Sequence, residues 1–119
     1  MKADAVNELG LISRIDKAHI VMLANEQLMP NENATRVIEK IEELEKCDFE
    51  PLIGGHAPRG IYMLYENWLI QELGMAIAGS IHLGRSRNDI NATIAKLQTR
   101  DYITEVIGCL SEFLELIME

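Results

Sequence analysis

The chain has 119 residues and a formal net charge of −8, a length that allows one domain with a modest core. Its acidic balance argues against nucleic-acid and membrane partners, because an anionic surface binds a basic face, and no apolar stretch approaches membrane-spanning length. Cys47 and Cys109 form no metal-ligand pattern with His19, His56 or His82, so we expect no metal site. The first residues lack the layout of a signal peptide, and we expect a cytoplasmic protein with reduced thiols.

Apolar residues at three- and four-residue steps predict a first helix over 3–28. Gly10 costs this helix about 1 kcal/mol relative to alanine and marks a place for a kink. His19 falls on the apolar stripe, and we interpret it as a hydrogen-bonded, partly buried residue rather than a catalytic one. A second helix is predicted over 31–45, with Asn31 as its cap. The short turn between the two helices predicts an antiparallel hairpin.

The periodicity lapses over 46–60, where glycine and proline predict a connecting loop. A third helix is predicted over 61–78, and Gly74 and Gly79 near its end indicate a close approach or a stop. The last helix, about 89–118, is the longest, at roughly 45 Å for some thirty residues.

Apolar residues at helical spacing run along this last helix. One small helical domain cannot cover so long a rod, so we expect part of this face to meet a helix from elsewhere. The alternative is packing against the other helices of the same chain. The residues of this face are Ile103, Val106, Ile107, Leu110, Phe113, Leu114 and Ile117.

A dense polar segment precedes the last helix. Arg85 and Arg87 stand two residues apart, with Ser86 between them and Asn88 after them. Guanidinium groups bind carboxylate or phosphate at two points, and the spacing of Ser86 and Asp89 is that of a capping box, whose helix start also favours an anion. These features together favour a small ligand that bears carboxylates. The alternative is an ordinary capped helix start in which one of the arginines pairs with a nearby acidic residue.

The segment His82-Leu83-Gly84-Arg85-Ser86-Arg87-Asn88-Asp89 resembles the hallmark segment of the argininosuccinate lyases, usually written L-H-T-x-R-S-R-N-D. These enzymes are members of the fumarase/aspartase superfamily. The similarity continues through residues 91–94 and Leu97, and residues 65–74 resemble the helix that leads into the segment. Residues 22–28 and 37–44 resemble the helical hairpin of the family. The resemblance covers most of the chain, and its specific part is the eight-residue segment.

The resemblance implies an all-α fold, in which a helical N-terminal domain is followed by the first long helix of a central helical bundle. In this chain the domain corresponds to residues 1–84. Residues 85–119 correspond to the substrate-binding segment and the start of the bundle helix. That bundle assembles a homotetramer in the family, so we expect a homo-oligomer formed through the 89–118 helix. The sequence stops without a further helix, and we expect it to be part of a longer enzyme.

The resemblance also implies a reaction of arginine biosynthesis, the β-elimination of argininosuccinate to arginine and fumarate, without a metal or an organic cofactor. Ser86, Arg87 and Asn88 match family positions that contact the carboxylates of the fumarate half of the substrate. Arg85 would support the loop or the anion field, and His82 would line the pocket. The family's base, a serine on a late glycine-rich loop, has no counterpart here. We therefore assign no catalytic residue and expect the chain alone to be inactive.

Three positions depart from the family pattern. Leu83 replaces a threonine, and Gly60 and Tyr62 occupy places where the family has an acidic residue and a histidine. Two alternatives therefore stay open. The chain could belong to a superfamily member that eliminates fumarate or ammonia from another dicarboxylate. It could also be a non-catalytic helical interaction module.

Overall fold

The computed structural model describes residues 2–56 and 58–119, and every regular element there is helical. This confirms the predicted all-α class. Short 3-10 turns occupy Glu50–Leu52 and Gly79–His82, and Ala57, within the predicted loop, lies outside the described residues. The α-helices are α1 (Lys2–Asn25), α2 (Asn31–Lys46), α3 (Ile61–Leu73), α4 (Met75–Ala78) and α5 (Arg87–Met118).

The chain divides into two compact units, Met1–Ser86 and Arg87–Glu119. Helices α1 and α2 form the predicted antiparallel hairpin of the first unit. Glu45, near the end of α2, accepts hydrogen bonds from Ser13 Oγ at 2.6 Å and Lys17 Nζ at 2.8 Å, both in the middle of α1. These residues lie at similar distances from the turn on either side, as antiparallel packing requires.

Helix α3 packs against both arms of the hairpin, and the core of the first unit lies among these three helices. Its side chains are almost all aliphatic, with one fully buried tyrosine from α3. Burial of this apolar area is the main force that holds the unit together. The most deeply buried apolar residues are Leu9, Ile12, Ile20 and Leu23 from α1, Val37, Ile41 and Leu44 from α2, and Tyr65 and Leu69 from α3.

The end of α1 and the start of α2 differ from the sequence prediction. Gln27 adopts a left-handed backbone conformation, and the N–H of Leu28 bonds to the carbonyl of Leu23 at 2.8 Å. This is a Schellman closure, so α1 ends at Asn25 and not at residue 28. The prediction that Asn31 caps α2 is also wrong, because Pro30 holds the cap position without a side-chain bond and Asn31 is the first helical residue.

The predicted third helix over 61–78 is two helices. Gly74 has φ +82° and ψ 155°, a conformation that side chains with a Cβ essentially do not adopt. Its N–H closes α3 on the carbonyl of Ile70 at 2.8 Å. The stop signal at Gly74 thus acts within the predicted helix, and α4 begins in a new direction at Met75.

The second unit is α5 alone. Its distal half carries many large apolar side chains that are more than half exposed, and we call them the distal apolar residues. The distal apolar residues are Tyr102, Ile103, Val106, Ile107, Leu110, Phe113, Leu114, Leu116, Ile117 and Met118.

None of the helices in the described ranges has the length and apolar character needed to cross a membrane.

Candidate functional site

The polar segment joins the two units. After the turn Gly79–His82 the backbone passes Gly84 with φ +74°, a left-handed conformation that glycine adopts without steric cost. Helix α5 then begins at Arg87, two residues before the predicted start. Ser86 immediately precedes it and Asp89 lies in its first turn, which are the positions that a capping box requires.

Arg85 points into the first unit and pairs with Asp16 of α1. Its Nη2 donates to Asp16 Oδ1, and the two side chains are 7% and 1% exposed. This is the arrangement foreseen by the alternative interpretation, in which an arginine of the segment pairs with a nearby acidic residue. An ion pair this deeply buried fixes geometry, because removing either partner would leave an unpaired charge away from water.

Tyr62 lies between this pair and His82. Arg85 Nη2 also donates to Tyr62 Oη at 3.3 Å, and Tyr62 Oη lies 3.1 Å from His82 Nδ1. The rings of Tyr62 and His82 are tilted, with centroids 5.7 Å apart. By the resemblance to the argininosuccinate lyases, Tyr62 occupies a position where that family has a histidine. Its hydroxyl connects the buried ion pair to the partly exposed His82.

Several buried polar atoms around the ion pair have no hydrogen-bond partner within residues 2–56 and 58–119. They are Asp16 Oδ2, Tyr65 Oη, and Nε and Nη1 of Arg85. A buried arginine with two unused donor atoms is unusual, since most buried polar groups are paired. The cluster therefore holds its ion pair in a low-dielectric environment in which charge is costly.

The pKa values of the cluster reflect this environment. Burial raises the pKa of Asp16 to about 6, against the opposing attraction of Arg85. Burial also raises the pKa of Tyr62 and of Tyr65 well above that of a free phenol, and the nearby Asp16 carboxylate adds to both shifts. Both tyrosines therefore keep their hydroxyl protons at neutral pH.

A second contact holds the segment to α1. His19, three residues after Asp16, donates from Nε2 to the carbonyl of Leu83 at 2.9 Å. The residue is partly buried, and burial lowers the pKa of His19. This confirms the interpretation of His19 as a hydrogen-bonded residue of the apolar stripe. Because residues three apart share a helix face, α1 holds the segment with one side chain on each of two successive turns.

The predicted site residues thus fall into two groups. His82 and Arg85 come together in the first unit through Tyr62. Ser86, Arg87 and Asn88 are exposed at the start of α5. Sequence reasoning missed Asp16, although its position was a signal. An aspartate four residues from both Ile12 and Ile20, on the buried face of an amphipathic helix, needs a cationic partner.

Within the described ranges, no group of three or more histidine, cysteine, aspartate or glutamate side chains is placed to hold a metal ion. Cys47 and Cys109 are free and exposed.

Comparison with known proteins finds argininosuccinate lyases from several organisms. The chain is 38% identical over 93 residues to the argininosuccinate lyase of Methanococcus maripaludis. It is 35% identical over 104 residues to that of Methanocaldococcus jannaschii and 28% identical over 106 residues to argininosuccinate lyase 1 of Shouchella clausii. Over most of its own length, the chain is similar to argininosuccinate lyases. Neither a family model nor a solved structure matches it.

The three matches with argininosuccinate lyases cover 78%, 87% and 89% of this chain but only 19%, 22% and 21% of the relatives. The chain thus spans about a fifth of the length of the curated relatives it matches. The similarity confirms the resemblance indicated by the eight-residue segment, and its extent agrees with the prediction that it concerns the N-terminal portion of the family.

Proposed function

We propose that this chain is the carboxylate-binding N-terminal part of an argininosuccinate lyase-like enzyme, which cleaves argininosuccinate to arginine and fumarate in the cytoplasm. The observation that carries the proposal is the anchoring of the residues before Ser86. Asp16 and His19 hold Arg85 and Leu83 to α1 within the first unit, and Ser86 is the residue that precedes α5. In a chain similar to these lyases, a polar segment of this composition is suited to bind a dicarboxylate.

Ser86, Arg87 and Asn88 would contact the carboxylates of the fumarate half. A β-elimination needs a base that removes a carbon-bound proton, and donors that hold the carboxylate on which negative charge develops. A guanidinium, a hydroxyl and an amide supply donors, but none of them is a base at neutral pH. The chain would therefore bind the substrate and depend on other polypeptide for the base. No metal or organic cofactor is part of this proposal.

Binding of argininosuccinate to the chain, measured by calorimetry, tests the proposal. We expect saturable binding that Arg87→Ala weakens at least tenfold, because it removes a charged hydrogen bond of about 1.5–3 kcal/mol. Arg100→Ala is the matched control, since Arg100 is an exposed arginine of the same helix. Equal loss in both variants, or no binding to the unmodified chain, would contradict the proposal. Release of fumarate by the chain alone would show that it carries its own base.

The substrate could be another dicarboxylate, and Tyr62 favours this second candidate. The Tyr62 hydroxyl accepts from Arg85 and contacts His82. By the resemblance, it stands at a position where the family has a histidine, and this exchange changes the polarity of that position. Parallel titrations with argininosuccinate, aspartate and adenylosuccinate decide between the candidates. Tighter binding of either of the last two would favour the second.

We also propose that the chain forms a homo-oligomer through α5. The distal apolar residues support this, because exposed apolar surface of this extent marks an interaction site. Light scattering should give a mass above that of one chain, and the double variant Leu110→Ser/Phe113→Ser should reduce it to the monomer. If α5 serves only a non-catalytic interaction module, Arg87→Ala and Asn88→Ala would leave every binding property of the chain unchanged.

A further inference from the structure

The hydrogen bonds from Arg85 to His82 run in one direction. A guanidinium can only donate, so Arg85 Nη2 donates to Tyr62 Oη across their 3.3 Å contact. Tyr62 Oη lies 3.1 Å from His82 Nδ1, and Tyr62 itself is only 7% exposed. The hydroxyl proton of Tyr62 therefore has the histidine nitrogen as its acceptor within the described part of the chain.

This direction determines the state of the imidazole. If Tyr62 donates to Nδ1, that nitrogen carries a lone pair and the ring proton sits on Nε2. In the opposite arrangement Nδ1–H would donate to a hydroxyl that already accepts from Arg85. The hydroxyl proton would then be buried without an acceptor, which is unfavourable.

The surroundings of Tyr62 keep its proton in place. Burial and the Asp16 carboxylate raise the pKa of Tyr62 well above its usual value, so the hydroxyl remains a donor at neutral pH. Asp16 in turn holds the guanidinium of Arg85. We call this chain of contacts, from Asp16 through Arg85 and Tyr62 to His82, the buried relay. It begins at the Asp16 carboxylate of α1 and ends at Nε2 of His82, whose ring is partly exposed.

We propose that Asp16, Arg85 and Tyr62 are positioning residues that direct the Nδ1 lone pair of His82 towards the Tyr62 hydroxyl and so place the ring proton on Nε2, from which it is donated to a carboxylate oxygen of the ligand. The ligand class rests on the proposed function, whereas the tautomer rests on the contacts alone. His82 then acts as a hydrogen-bond donor that recognises an anion, and it cannot accept a proton at Nδ1 without breaking the bond from Tyr62.

Long-range proton–nitrogen NMR of the 15N-labelled, unliganded chain tests the tautomer, at a pH above 7 where imidazoles are neutral. We expect His82 to be in the Nε2–H form, and Tyr62→Phe to shift it towards a mixture of tautomers. Tyr65→Phe is the matched control, because it removes a neighbouring buried hydroxyl of α3 that has no partner in the described ranges. The Nδ1–H form in the unmodified chain, or a tautomer that Tyr62→Phe leaves unchanged, would overturn the inference.

The ligand contact has a separate readout. Titration with argininosuccinate should shift the Nε2 resonance of His82, and Tyr62→Phe should weaken binding about three- to tenfold, the range of one neutral hydrogen bond. Tyr65→Phe should bind normally. Binding without any change at His82 overturns the proposed contact alone. Absence of binding to the unmodified chain contradicts the proposed function, while the tautomer is still decided by the unliganded spectrum.

Discussion

Apolar side chains at helical spacing are buried in the first unit and exposed in the distal half of the second. Leu23, on the hairpin of the first unit, is 1% exposed, whereas Leu110, in the distal half of α5, is 55% exposed. Both leucines belong to apolar stripes at helical spacing. The period of a sequence identifies a face that must be covered, but it does not identify what covers it.

Charged residues show the same contrast. Asp16 in α1 is buried and paired with Arg85, and its pKa is raised, whereas Asp101 in α5 pairs loosely with Arg100 at 3.5 Å and both side chains are more than half exposed. The first unit therefore derives its stability and its polar geometry from tertiary contacts. The distal half of α5 has the apolar spacing of a packed helix, but its apolar side chains are exposed.

The largest effect expected from this contrast is on the buried ion pair. Asp16→Ala should lower the free energy of unfolding by about 3–5 kcal/mol, because it leaves Arg85 charged, buried and unpaired. Asp101→Ala, the same change on α5, should alter it by less than about 0.5 kcal/mol. Urea denaturation of both variants measures the difference. Similar values for the two would mean that Asp16 is not buried in the folded chain.

The second test concerns the apolar side chains. Leu23→Ala should cost about 2–5 kcal/mol, because it removes a buried side chain and leaves a cavity. Leu110→Ala, measured at a concentration low enough to keep the chain monomeric, should cost less than about 0.5 kcal/mol. If Leu110→Ala destabilises the monomer as much as Leu23→Ala does, the distal apolar residues pack within the chain.

Much of the first unit could be predicted from the sequence, because its signals are local. Apolar spacing located α1 and α2, and the short turn predicted their hairpin. The cap at Asn31 was wrong because Pro30 took that position. Gly74 was named as a close approach or a stop, but the predicted helix still continued to residue 78, because a glycine within a helical pattern does not reveal whether its φ is positive.

The buried relay could not be predicted from local sequence patterns. Arg85 and Asp16 are 69 residues apart in sequence, and their pairing exists only because α1 and the polar segment pack together. The residue types indicated dense polar chemistry around Arg85, but by themselves they did not separate the arginine that points into the core from the exposed Arg87. Only the family resemblance gave the two arginines different roles. Arg85 points into the core because the fold places the buried carboxylate of Asp16 beside it.

The third test uses pH. The folded-state pKa of Asp16 is raised from 3.8 to about 6, so between these values the folded chain binds a proton that the unfolded chain has lost. This stabilisation is complete below pH 4 and disappears as the pH rises through 6, at a cost of about 3 kcal/mol. Arg85, Glu66, Tyr62 and Tyr65 are the charged or titratable groups that act on this carboxyl or are acted on by it.

Asp16→Asn removes this proton and serves as the reference. Subtracting the unfolding free energy of Asp16→Asn from that of the unmodified chain cancels the contributions of the other carboxyl groups. This difference should fall between pH 4 and pH 6. Asp101→Asn should give a constant difference over the same range. Parallel pH profiles for the unmodified chain and Asp16→Asn would contradict the raised pKa.

The smallest expected effect separates the two units by their glycines. Gly10 and Gly108 both lie inside long helices, and a Cβ added at either meets no atom within 4 Å. Alanine at either position should favour the helix by up to about 1 kcal/mol.

Gly10→Ala should raise the unfolding midpoint of the first unit, because α1 is part of its core. Gly108→Ala should instead slow amide hydrogen exchange in distal α5 and leave that midpoint unchanged, since stability there is local. If Gly108→Ala raises the midpoint as much as Gly10→Ala does, the two units unfold together, and the contrast between them is one of exposure but not of cooperativity.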